Sequence, residues 1–75
     1  MRKNHNSKII VYNNTKVVIE NYDNIIDLNN DLIKIDIYEL YGLNLKVKQI
    51  DSYYIIIEGL LTQILIVDDT KWNIL

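Results

Sequence analysis

Seventy-five residues with a net charge of −2 suffice for one domain and argue against a general nucleic-acid binder, which would carry a basic face. The chain has no cysteine and one histidine, His5, so it has no disulfide, no thiolate metal site and no zinc centre. Of the usual staples for so small a core, association with another chain is the one left. Fifteen Ile against no Ala, Pro or Phe favour strands over helices, and no apolar run approaches the roughly 20 residues of a membrane helix.

In chain order, residues 1–7 are polar and read as a disordered arm ahead of a single β domain over 8–75. This arm lacks the apolar core of a secretory signal, and the absence of cysteine fits a reducing cytoplasm, the expected location. A first strand covers 8–12, and Asn13-Asn14 turns it, since Asn tolerates positive φ and can bond its own backbone. A second strand at 15–20 puts Val17 and Ile19 on one face. After a turn at Asn21-Tyr22-Asp23-Asn24 comes a third strand at 25–28, and Asn29-Asn30 is a hairpin signal.

Period-two alternation then runs through 31–38, with Ile33, Ile35 and Ile37 on one side. The turn after it is expected at 39–42. The strand at 43–50 sets Leu43, Leu45 and Val47 against Asn44, Lys46 and Lys48. Asp51-Ser52 turns the chain into strands at 53–58 and 60–67, which Asp68-Asp69-Thr70 ends. In the last strand Leu61 has the wrong parity to share a face with Ile64 and Ile66. A bulge near Thr62-Gln63 would restore it, and Gly59 would relieve the backbone beside it. A helical face can be forced on 22–43 only across the Asn29-Asn30-Asp31 cluster. The short connections favour antiparallel neighbours. The expected fold is therefore an all-β antiparallel meander of about seven short strands, forming a small sandwich or a partly open barrel. A β-solenoid-like stack is the alternative, although no repeat period is visible.

Nothing in the sequence sets up catalysis. The carboxylates are scattered over turns and outward faces, no hydroxyl or thiol nucleophile stands beside a base, and Gly42 and Gly59 are too far apart for a phosphate loop. The chain reads as a non-enzyme with no cofactor and no metal. Tyr53-Tyr54 with Lys46 and Lys48 would suit a small β module that binds nucleic acid or another ligand, the alternative reading, but the acidic balance opposes nucleic acid. The last two strands carry a second apolar row, Tyr54, Ile56, Leu65 and Val67, opposite the core-facing isoleucines. Those four residues are the candidate interaction face, to be covered by another copy, by a protein partner or by the Trp72–Leu75 tail.

Four pieces of the chain resemble the YabP/YqfC sporulation proteins. Val18-Ile19-Glu20-Asn21-Tyr22-Asp23-Asn24-Ile25 is similar to that family's opening, apolar-I-E-N/G-aromatic-x-x-I/L. Asp31-Leu32-Ile33-Lys34-Ile35 resembles its acidic-x-I-x-I strand, and Gly42-Leu43-Asn44-Leu45-Lys46-Val47-Lys48 its G-x-N/D-L-x-I-K segment. Ile55-Ile56-Ile57-Glu58-Gly59-Leu60-Leu61 with Ile64 and Ile66 resembles its I-x-I-E-G-x-I-x-x-I close. Glu39-Leu40-Tyr41 departs from the glycine-bearing turn of the pattern, and the tail has no counterpart in it. The resemblance implies a small β protein of the sporulating Gram-positive cell, engaged in coat–cortex morphogenesis or engulfment. It implies protein partners, some of them membrane-bound, a place at the forespore surface, and no catalytic residues.

Overall fold

The computed structural model describes residues 7–67. Every regular element among them is a strand: β1 (Lys8–Tyr12), β2 (Lys16–Glu20), β3 (Ile25–Leu28), β4 (Leu32–Ile35), β5 (Tyr38–Ile50) and β6 (Tyr54–Ile66). They form one antiparallel sheet in the order β1-β2-β6-β5-β4-β3, with two free ends. The expected all-β, partly open meander is what forms, with six strands for the expected seven, and its antiparallel pairing is unlike a solenoid stack. Ser7, expected in a loose arm, accepts a 3.0 Å hydrogen bond from the Tyr38 hydroxyl. Residues 1–6 and the expected strand stop and tail at 68–75 lie outside the described residues.

Two expected boundaries differ. The turn expected at 39–42 lies at Asp36-Ile37 instead, closed by the pair Ile35–Tyr38, and 39–42 belong to β5. Asp36 takes φ 53°, a backbone that Asn and Asp tolerate better than other side-chain-bearing residues. The strands expected at 53–58 and 60–67 are one strand, β6, that runs through Gly59.

Extra residues account for the parities. On β6, Tyr41 pairs with Gln63 but Gly42 with Leu61, so Thr62 is bulged out and Leu61 turns inward to 7% exposure, as the parity break anticipated. On β5, Leu43 pairs with Leu60 and Lys46 with Glu58, which leaves Asn44 and Leu45 opposite Gly59 alone. That second bulge overturns the expected row of Leu43, Leu45 and Val47. Leu45 is buried, Val47 packs against the core, and Leu43 faces out at 57% exposure. A third extra residue, Lys48, lies between the pairs Val47–Ile57 and Gln49–Ile56.

Chain length shows that these bulges fold the sheet over. Glu20, the last residue of β2, pairs with Tyr54 at the start of β6. Ile25, the first residue of β3, is linked through Ile35 and Tyr38 to Ile66 at the other end. A straight strand would hold those ends about 40 Å apart, whereas the connection across residues 21–24 reaches about 17 Å at most. The long β5–β6 hairpin therefore doubles back at its middle. Its two halves become facing layers: β1-β2-β6-β5 through the first half of β6, and β3-β4-β5-β6 through the second.

Both glycines sit at this bend. A Cβ on Gly42 would run into the Leu60 carbonyl. Gly59 holds φ 147°, and a Cβ there would stand 2.7 Å from the Asn44 oxygen. The core lies between the layers. Val17, Ile19, Ile55 and Ile57 come from one, Ile33, Ile35, Tyr38, Leu40 and Leu61 from the other, and Leu45 from the bend. Burying each large aliphatic side chain contributes about 1.5–3 kcal/mol.

Residues 21–24 strap the layers together. The Asn21 N–H donates to the Tyr53 carbonyl and the Tyr22 hydroxyl to the Asp51 carbonyl, each at 2.6 Å. The Asp36 carboxylate accepts from the Asp23 N–H at 3.0 Å and from the Asn24 N–H at 2.8 Å.

Candidate functional site

The bend divides the expected interaction face. Tyr54 and Ile56 lie half-buried on the outer side of the first layer, where Ile56 continues a row through Val18 to Ile10. Rows of long polar residues flank it, Lys8-Glu20-Tyr54 on one side and Tyr12-Lys16-Glu58-Lys46 on the other. The Tyr54 hydroxyl accepts from Gln49 Nε2 at 2.9 Å. Leu65 lies on the outer side of the second layer, beside Glu39, and Val67 follows the end of β6 with its N–H bonded to the Ile37 carbonyl. The four residues thus form two pairs on opposite faces. The outer surface around Leu65 is polar: Lys34 Nζ stands 4.0 Å from Glu39 Oε2, and the Tyr41 hydroxyl donates to Glu39 Oε1 at 2.9 Å. That bond holds the Tyr41 hydroxyl proton and raises its pKa above 10.0.

The exposed apolar side chains gather along edges instead of on a face. Among the described residues, folding the sheet over leaves four edges, each paired on one side only: β1, β3, and the second halves of β5 and β6. Three carry features that discourage a further strand. β1 begins with Lys8, the four-residue β3 has a register shift around Ile26 and bears Asp27, and β5 carries Lys46 and Lys48 with a bulge at Lys48. The fourth edge has a bulge at Thr62 but no charge. No residue from 59 to 67 is charged, and beyond the Thr62 bulge run Gln63, Ile64, Leu65, Ile66 and Val67, of which Ile66 is 63% exposed.

Two depressions lie near these edges. One, of about 220 Å³, is lined by Val11, Asn13, Asn14 and residues 61–64, and opens beside the free edge of β6. The other, of about 510 Å³, is shallow and is lined by Asn44, Lys46, Lys48, Glu58 and Gly59. Glu58 stands between the two lysines and the rest of the sheet, so the surface expected to suit a polyanion is mixed in charge. At the hairpin tip, Asp51 accepts from the N–H groups of Tyr54 and Tyr53, and these bonds hold its carboxyl below the usual 3.8. Among the described residues no three His, Cys, Asp or Glu side chains come together as a metal-sized cluster, and no helix is long and apolar enough to cross a membrane.

The free β6 edge was visible in the sequence only as an uncharged run. Which strand lacks a neighbour depends on the order β2-β6-β5, a long-range property that periodicity does not encode. No family model, curated protein or solved structure matches the chain.

Proposed function

We propose that this chain is a non-enzymatic structural and interaction protein that works by self-association or by docking to a protein partner through its sheet. The observation that carries this reading is the uncharged, largely apolar edge Gln63 to Val67, on a domain whose other edges each bear charged residues. The resemblance to the YabP/YqfC proteins supports placing that role in the sporulating cell, at the forespore surface. Four of the positions that carry the resemblance have backbone reasons for their identity: Asn21 and Asn44 sit at φ 57° and 54°, Gly42 has no room for a side chain, and Gly59 needs φ 147°. Any chain that folded over in this way would need similar residues there, so the shared role rests on the proposal.

Sedimentation velocity over a micromolar concentration series tests the reading. The expected result is reversible association. A monomer at every concentration, together with no partner found by cross-linking in sporulating cells, would remove it.

A further inference from the structure

Resting on that reading, we infer that the occupant of the β6 edge is the β6 edge of a second copy, paired antiparallel about a two-fold axis at Leu65. The backbone sets the geometry. The Leu61 N–H points away from β5, to the Asn14 carbonyl, and the Val67 N–H points the other way, to Ile37. With Thr62 bulged between them, strand alternation aims the N–H and C=O groups of Ile64 and Ile66 at the open side. A two-fold axis at Leu65 sets Ile64 of one copy opposite Ile66 of the other, so both residues exchange their main-chain bonds. It also uses all of residues 63–67 without drawing in the bulge.

Three observations select a second copy as the occupant. The core of the segment, Ile64-Leu65-Ile66, reads the same in both directions, so antiparallel pairing matches Ile with Ile and Leu with Leu. The segment is uncharged, so two copies meet without like-charge repulsion, which Lys46 and Lys48 would impose on the β5 edge. And Ile66, the most exposed large apolar residue described, comes to lie beside Ile64 of the other copy, a lining residue of the 220 Å³ depression next to Val11 and Leu61. Each copy thus brings both a projecting side chain and a recess for it. The second layers merge into one eight-stranded sheet, β3-β4-β5-β6 joined to its rotated copy. Five residues a side make a small interface, so the dimer is weak, in the micromolar range.

The chain has no cysteine, which makes a cross-linking test clean. Directly opposed residues of a non-hydrogen-bonded antiparallel pair have Cα atoms about 4.5 Å apart, within disulfide reach. Under mild oxidation Leu65→Cys is expected to give a covalent dimer, whereas Leu43→Cys, exposed at the bend, stays monomeric. Ile66→Lys, at a site exposed enough to leave the fold intact by circular dichroism, is expected to weaken association by about tenfold or more. A dimer that keeps its affinity in Ile66→Lys and is not linked by Leu65→Cys overturns the edge assignment and leaves the association reading standing. A monomer at every concentration, as when the chain's own tail fills the edge, overturns the edge assignment as well.

Discussion

Asn13, Asn21, Asp36 and Asn44 all hold φ between 53° and 57°, a region that costs most side chains about 1–2 kcal/mol. Asn13 and Asn21 were legible as turn residues, whereas Asn44 stood in an outward polar slot of the strand expected at 43–50. Asp36 was not legible either: it occupies a polar slot in the alternation Ile33, Ile35, Ile37, and nothing local separates a polar residue facing out from one turning the chain. Its carboxylate also caps the N–H groups of residues 23 and 24. Asp36→Ala is expected to lower stability by about 1–2 kcal/mol in urea denaturation, since it removes the acceptor of those two bonds and puts Ala at φ 53°. Gly59→Ala is expected to cost more, about 3 kcal/mol or above, because it adds a Cβ against the Asn44 carbonyl at φ 147°. Asp51 gives a pH signature. Its folded-state pKa lies below the unfolded 3.8, so its contribution is complete above that value and fades as pH falls through the depressed one. Asp51→Asn should flatten the acid limb of a thermal-stability profile below pH 4, relative to the parent chain, and leave its shape near neutrality unchanged.

At the scale of strands, the bulges decide which neighbours are inside. Leu60 and Leu61 are adjacent and chemically identical, yet Leu60 is exposed and Leu61 is buried because Thr62 is skipped. Leu61→Ala is expected to cost about 2–5 kcal/mol, and Leu60→Ala about 0.5 or less, by chemical denaturation. Equal costs would place the bulge elsewhere. This bulge was legible because Ile64 and Ile66 fix a parity that Leu61 breaks within one short stretch. The one at Asn44-Leu45 was not, because Leu43, Leu45 and Val47 alternate cleanly and the extra residue shows only against Gly59 on the partner strand. Both glycines attracted notice as chain punctuation. Their role as the place where two long strands fold back together emerges only once Gly42 is seen against Leu60 and Gly59 against Asn44.

For the whole molecule, class and openness were legible from composition and period, and the division of the candidate face was not. Tyr54, Ile56, Leu65 and Val67 form one row on a flat sheet and two pairs on a folded one, and the fold is imposed by the reach of residues 21–24. Pairing over such distances slows folding. β2 meets β6, more than thirty residues later, and refolding is expected on the millisecond-to-second scale, followed by stopped-flow tyrosine fluorescence.

The sheet order also has a consequence in time. β6 is hydrogen-bonded to both β2 and β5 and holds the two layers in one sheet, yet it is the last of the six strands to be made. While the chain grows, the β1–β2 hairpin and the β3–β4–β5 run have no strand between them to share, and Val17, Ile19, Ile33 and Ile35 wait uncovered. Completion of β6 is therefore the event that joins the two layers, and a chain ended before Tyr54 holds two pieces of sheet with no strand between them.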